Sequence, residues 1–290
     1  MRDFKDKVAV VTGGASGIGL AMARRFAREG MRVVIADIEV DALASAEREI
    51  RNMGTPVVGV RTDVSRSQDI EALAANALHA FGNVHIVCNN AGVAGTPGPV
   101  WERSIGDWQW VLGANLWGVI HGIRTFVPIM LKQGEDAHVV NTASVAGLLS
   151  LPFTGVYQAT KHTVVTISES LYAELASAGA PVGVSVLCPG FVKTRILDSS
   201  RNRPPELAEG KVPPAVQARW ERFRGMVEAG MSPELVADRV LEAIRDRKLY
   251  ILTHSEFNEP IRQRVEDILA GRNPILQAPL PNTESLSRSA

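Results

Sequence analysis

The sequence predicts an α/β three-layer sandwich, a parallel sheet of about seven strands with helices on both faces. Three observations predict it. Short β-branched runs alternate along the chain with longer segments of helical period, the rhythm of parallel strands joined by crossover helices. The first run leads directly into a glycine cluster that opens a helix. The 290 residues, 46% of them apolar, suffice for one large core, and no internal repeat or composition shift marks a second domain.

In chain order, strands are expected at 8–12, 32–36, 56–60, 84–88, 137–141, 182–187 and 249–252. These runs are short and nearly unbroken in apolar character, as strands buried on both faces are. Helices are expected at about 17–29, 39–52, 66–81, 106–132 and 155–178, each long enough for a right-handed crossover. A further helix begins near Ser232-Pro233-Glu234 and runs to about 247. Residues 195–230 break the rhythm with a proline-containing, helix-like stretch and are read as a lid. Residues 272–290 hold three prolines, several serines and no periodicity, and are read as an extended or disordered tail behind a single domain of residues 1–271.

Lys plus Arg number 31, as do Asp plus Glu, so no net charge holds the chain on nucleic acid or an anionic membrane. Cys88 and Cys188 lie far apart in apolar runs, with the spacing of neither a metal knuckle nor a disulfide framework. They read as small buried hydrophobes of an intracellular protein. Residues 1–7 are charged where a signal peptide would be apolar, and no run approaches the roughly 20 residues of a membrane span. A cytoplasmic location is expected. The six histidines form neither an H-E-x-x-H pair nor a cluster, so no metal site is expected.

The glycines of Thr12-Gly13-Gly14-Ala15-Ser16-Gly17-Ile18-Gly19 fall at a strand-to-helix turn. Glycine lets backbone approach a diphosphate, and the helix N-terminus offers unpaired N–H groups and partial positive charge. A tight turn alone would also use such glycines, but this setting is that of a Rossmann-type dinucleotide site. The second strand ends at Asp37, at about the 20-residue offset where a carboxylate binds the adenosine ribose and repels a 2′-phosphate. Ser16 and Ile38 are uncharged, so no cation for that phosphate is evident, and NAD is expected over NADP. The alternative is that Asp37 only caps the helix beginning at Glu39.

Ser144, Tyr157 and Lys161 have the spacing S-x12-Y-x3-K, with Tyr157 and Lys161 on one helix face. At ordinary residue usage, chance gives this spacing about once per hundred such sequences. The residue types suit proton transfer. A phenol with a pKa of about 10 needs about 4 kcal/mol of differential stabilisation to drop three units, and a neighbouring ammonium can provide much of it.

With these residues in view, the chain resembles the short-chain dehydrogenase/reductase family from about Lys7 to Leu252. Thr12, Gly13, Gly17 and Gly19 match T-G-x-x-x-G-x-G, and Asn89-Asn90-Ala91-Gly92 matches N-N-A-G. Asn115 falls in the family's helix-asparagine context, and Pro189-Gly190 precedes Thr194 as in P-G-x-x-x-T. The resemblance implies Tyr157 as acid/base, Ser144 orienting the substrate oxygen, and Lys161 binding the nicotinamide ribose while acidifying Tyr157. It also implies that Asn115 holds a water of a proton relay. Asp63, with Val64 beside it, would meet the adenine, Asn90, Ala91 and Gly92 would lie along the cofactor, and Pro189, Gly190, Val192 and Thr194 would border the nicotinamide.

The implied activity is NAD-dependent interconversion of a secondary alcohol and a ketone. Val145, Leu148, Leu149, Phe153, Phe191 and the lid residues Trp220, Phe223 and Met226 are expected on the substrate side. Their apolar character points to a bulky, uncharged alcohol. Trp101, Trp108, Trp110 and Trp117 fall in one short window, for core or subunit packing or for shaping the substrate entrance. The family implies homodimers or homotetramers through the helix bearing Tyr157 and the helix 232–247. Two rival classes are a non-catalytic NAD-sensing regulator and an epimerase or dehydratase on the same fold.

Overall fold

The computed structural model describes residues 1–207 and 214–274. The parts of the expected lid and tail at 208–213 and 275–290 lie outside the described residues. Seven parallel strands form one sheet in the order β3-β2-β1-β4-β5-β6-β7. They are β1 (Val8–Thr12), β2 (Arg32–Asp37), β3 (Val57–Arg61), β4 (Ile86–Asn89), β5 (Ala137–Thr142), β6 (Val182–Cys188) and β7 (Tyr250–Leu252). All seven lie where the apolar runs predict them, with ends displaced by at most two residues.

Alternation along the strands divides the core in two. In β1, Ala9 and Val11 face a cluster with Met22 and Phe26 of α1 (Gly17–Arg28), Leu43 and Ile50 of α2 (Val40–Asn52), and Val240 and Leu241 of a later helix (Pro233–Asp246). Val8 and Val10 face the opposite cluster. That one holds Ile70 and Leu73 of α3 (Ser67–Phe81), Phe126 and Met130 of a helix over Gly118–Gln133, and Leu171 and Leu175 of a helix over Gly155–Ser177. Each fully buried side chain of this size contributes about 1.5–3 kcal/mol.

The expected single helix over 106–132 is broken. It consists of α4 (Ile105–Leu112), a π-helical stretch (Gly113–Trp117) and α5 (Gly118–Gln133). Ser104 starts α4 by accepting a hydrogen bond from Asp107 N at 3.0 Å. At the break the Asn115 side chain turns inward to bond the main chain of Val93, 22 residues away in sequence. Then follow α6 (Gly155–Ser177), α7 (Pro214–Glu228) and α8 (Pro233–Asp246). Ser232 caps α8, and Pro233 opens it. A last helix, α9 (Asn258–Leu269), was not expected from sequence. Its apolar residues Ile261, Val265, Ile268 and Leu269 recur at helical spacing, but Val265, Ile268 and Leu269 stay exposed, and among its twelve residues only Asp267 is buried. Among the described residues no helix is long and apolar enough to cross a membrane.

Cys88 and Cys188 are buried and unpaired. Burial pushes both thiols up, Cys188 to about 12. His138 of β5 is fully buried opposite Gly183 of β6, where a Cβ would meet the imidazole Nδ1 at 2.4 Å. Ser185 donates its hydroxyl proton to the Lys248 carbonyl, so His138 Nε2 must donate to Ser185 Oγ at 2.8 Å, leaving Nδ1 unprotonated. Burial lowers the imidazole from its ordinary 6.5 to about 3. The neutral form's contribution is therefore complete above pH 6.5 and is lost as pH falls towards 3, at up to about 1.4 kcal/mol per pH unit. Urea unfolding between pH 6.5 and 4 is expected to show this slope, and His138→Gln is expected to reduce it by one proton's worth.

Candidate active site

Where strand order reverses, between β1 and β4, a cleft of about 330 Å3 opens at the carboxyl ends of the strands. The chain leaves β1 through Gly13 and enters α1 at Gly17, both left-handed at φ +63° and +52°. A Cβ on Gly13 would stand 2.9 Å from Ala91 Cα, and one on Gly19 would stand 2.0 Å from the Gly13 carbonyl oxygen. Glycine alone fits both places. Ser16, the N-cap of α1, makes no side-chain capping bond, which leaves first-turn N–H groups free for a phosphate at the cleft wall. Thr12 Oγ1 locks this loop to the next by accepting from Asn90 N (2.9 Å) and Ala91 N (3.1 Å). These residues fit a dinucleotide diphosphate.

At one end of the cleft Asp37 accepts Ala15 N on Oδ2 and Glu39 N on Oδ1, both at 3.1 Å. Burial pushes its carboxyl up, and these backbone donors pull it back. Ile38, Asp63 and Val64 line the same end, and Asp63 Oδ1 accepts from Ser65 N (3.0 Å) and Oγ (2.7 Å). The expectation that no cation stands nearby is corrected: Arg195 and Arg201 both line the cleft. Arg201 lies 162 residues from Glu39 in sequence, yet it donates Nε (3.1 Å) and Nη2 (2.5 Å) to Glu39 Oε1. Asn202 Nδ2 adds a third bond at 2.9 Å. Arg201 and Asn202 hold the Glu39 carboxyl below the usual carboxylate range.

At the other end, Ser144 precedes a short 3-10 turn after β5, and Tyr157 and Lys161 stand one turn apart on α6. All three line the cleft, as do Asn90, Ala91, Gly92, Pro189, Gly190, Val192 and Thr194. Ser144 Oγ donates to Pro189 O at 3.3 Å. Lys161 Nζ donates to Thr142 O at 2.9 Å and lies 5.6 Å from the centre of the Tyr157 ring. Burial lowers Lys161 to about 8. The expected acidification of Tyr157 is not the net effect here: burial pushes the phenol up, and the Ser144 hydroxyl pulls it part of the way back.

Two expected residues stand off the cleft. Gly19 lies behind Gly13, and Asn115 is fully buried. Asn115 Oδ1 accepts Val93 N at 2.7 Å, and its Nδ2 donates to Val93 O at 2.9 Å and to Thr160 Oγ1 at 3.3 Å. Both Nδ2 protons are thus used within the protein, and Oδ1 keeps one lone pair beyond its bond to Val93.

The expected substrate wall is the largest revision. None of Val145, Leu148, Leu149, Phe153, Phe191, Trp220, Phe223 and Met226 lines the main cleft. Leu148 packs on the core beneath α6, while Phe223 stacks with Trp220 and meets Phe191 edge-on. Phe153 and Trp220 line a small adjoining pocket that Tyr157 also borders. The apolar side of the cleft is built instead by Val93, Trp110, Ile196, Leu207 and Val227, with Gln109 and Ser199 as polar points. The lid helix offers Val227 where the sequence suggested its neighbour Met226.

Comparison with known proteins decides what this arrangement belongs to. The short chain dehydrogenase family profile matches residues 7–205. The chain belongs to the short-chain dehydrogenase family. A short chain dehydrogenase/reductase from Burkholderia phymatum, crystallised in complex with NAD, is 48% identical and superposes with a TM-score of 0.94 over 97% of this chain and 100% of its own. The CLA biosynthesis dehydrogenase/reductase of Lactiplantibacillus plantarum is 34% identical over 94% of this chain and 97% of its own. The 1-deoxy-11-beta-hydroxypentalenate dehydrogenase of Streptomyces exfoliatus is 35% identical over 97% and 94%.

In this short-chain dehydrogenase the sequence reading missed Arg201, Asn202, Trp110, Leu207 and Val227 as cleft residues. Trp110 alone gave a signal, as a member of the tryptophan window. Arg201, Asn202 and Leu207 reach the cleft through the fold of residues 196–207, which have no periodicity to read, and Val227 reaches it from α7.

Proposed function

We propose that the protein is an NAD-dependent dehydrogenase that interconverts a bulky, largely apolar secondary alcohol and its ketone. The observation that carries the reading is one cleft shared by the glycine loop, Asp37 and the set Ser144, Tyr157 and Lys161. When bound, the nicotinamide supplies the hydride-accepting carbon. Tyr157 Oη takes the alcohol proton during oxidation and returns it during reduction. The Ser144 hydroxyl turns from Pro189 O to hold the substrate oxygen. Lys161, tethered at Thr142 O and near 8, receives and releases a proton close to neutral pH. The apolar wall of Val93, Trp110, Ile196, Leu207 and Val227 supports a hydrocarbon-rich substrate. The names of the Streptomyces and Lactiplantibacillus relatives agree with a dehydrogenase of this kind.

NAD is preferred because two carboxylates guard the ribose end. Asp37 faces the cleft, and Glu39 neutralises Arg201, which would otherwise attract a 2′-phosphate. Asp37→Ser combined with Glu39→Gln is expected to raise the NADP-to-NAD ratio of kcat/KM by about ten- to a hundredfold, the equivalent of one charge-assisted hydrogen bond. Steady-state kinetics with both nucleotides checks this, and an unchanged ratio would remove both residues from cofactor choice.

The function is tested by following reduced nicotinamide when purified protein meets a panel of apolar secondary alcohols with NAD or NADP. Turnover with NAD is expected. Nucleotide binding without turnover across the panel would favour a sensor, and product formed without net NAD reduction would favour an epimerase or dehydratase. Self-association through α6 and α8 belongs to the same proposal, and light scattering is expected to give a dimer or tetramer mass.

A further inference from the structure

Behind the cleft wall formed by Pro189 and Gly190 stands a buried imidazole. His254 follows β7 and is 5% exposed. Its Nδ1 accepts the Gly190 N–H at 3.1 Å, and its Nε2 lies 3.0 Å from the Phe191 carbonyl oxygen. The backbone fixes the tautomer: an N–H faces Nδ1 and a C=O faces Nε2, so the proton sits on Nε2. Thr253 Oγ1 lies 2.6 Å from the same Nδ1. Gly190 leaves room for the ring, since a Cβ there would stand 2.7 Å from His254 Cγ and 2.8 Å from the Phe257 ring.

The two bonded residues lead to different parts of the site. Next to Gly190, Pro189 O accepts from Ser144 Oγ at 3.3 Å and from Val145 N at 3.0 Å. Phe191 O also accepts Met231 N at 2.9 Å, and the Phe191 ring meets Phe223 of α7 at 5.6 Å. One imidazole therefore fixes the segment between Ser144 and the aromatic anchor of the lid.

We propose that His254 is a positioning residue, a neutral clamp whose protonation releases segment 189–192 and weakens dinucleotide binding. The proposal rests on the reading above that this segment borders the nicotinamide. An imidazolium carries N–H on both nitrogens, so its Nδ1–H would point at the Gly190 N–H and the bond would be lost. Burial lowers His254 below the ordinary imidazole range. Of the charged groups around it, Glu256 draws it up, while Arg239 of α8, whose guanidinium bonds Thr253 O, pushes it down. The clamp thus holds at neutral pH and opens on acidification below the usual imidazole range.

The test compares the full-length protein with His254→Asn, whose carboxamide oxygen can accept the Gly190 N–H but cannot titrate, and with His254→Ala. Hydrogen–deuterium exchange of segment 189–193, corrected for the intrinsic rate, needs no nucleotide. The unaltered protein is expected to lose protection at least tenfold as pH is lowered from 7.5 to the acid limit of its folded state, while His254→Asn keeps it and His254→Ala lacks it throughout. NADH affinity by fluorescence titration is expected to follow, falling at least tenfold on acidification in the unaltered protein and changing less than threefold in His254→Asn. Parallel pH profiles for the unaltered protein and His254→Asn in exchange or in affinity would overturn the proposal. The expected exchange change in a protein that binds no NADH even at pH 7.5 would support the clamp and overturn the proposed function.

Discussion

Tyr157→Phe is expected to lower kcat for alcohol oxidation by about 10^2 to 10^4, the usual contribution of a positioned acid or base. The substitution removes one oxygen from a side chain held by α6 and leaves the ring beside Lys161, 5.6 Å from its Nζ. Dinucleotide affinity is expected to stay within about twofold, because the loss falls on the transition state and not on the ground state. The pH dependence carries a second signature. Burial pushes the phenol up, so the base form grows as pH rises through the alkaline range, and oxidation is expected to accelerate with it. Ketone reduction uses the protonated form and is expected to be flat over the same range. The residual activity of Tyr157→Phe should lack the alkaline rise. Near-normal turnover in this variant would end the mechanism, whatever the nucleotide affinity.

Gly19→Ala is expected to be the most damaging single methyl in the cofactor loop. Its Cβ would stand 2.0 Å from the Gly13 carbonyl oxygen and 2.7 Å from Asn90 Nδ2, which itself donates to Thr12 O at 3.0 Å. Either α1 retreats from the loop or Asn90 leaves Thr12, and both distort the phosphate cradle. Overpacking of this kind costs about 1–3 kcal/mol or more. Nucleotide affinity is expected to fall by about ten- to a hundredfold, read by NADH titration, with a lower Tm. Gly225→Ala in α7 is the control, since nothing lies within 4 Å of its added Cβ. Equal effects at the two positions would mean that contact with Gly13 is not the cause.

Much of this site is legible in the sequence because its parts are local. A glycine loop, a carboxylate at the end of the second strand, and Tyr157 four residues before Lys161 each carry their geometry in their spacing. The strands are legible because burial on both faces leaves an unbroken apolar run, as in β5 and β6, where every residue is buried. The π break at Gly113–Trp117 is hidden, because apolar residues continue through it and its cause, a bond from Asn115 to Val93, spans 22 residues. The wall around Leu207 and Val227 is hidden for a similar reason. Its residues are chosen by the path of a segment anchored elsewhere, as Arg201 is by Glu39, and no local pattern records that anchor.

The strand order also bears on how the chain is made. β1, β2 and β3 emerge from the ribosome first and can pair at once, but the other edge of β1 waits for β4, paired as Ala9 to Ile86. Until then Val8 to Thr12 present an open row of N–H and C=O groups in a strand apolar from Val8 to Val11, the template on which chains pair wrongly. A nascent chain stalled before residue 86 would therefore be a substrate for chaperones.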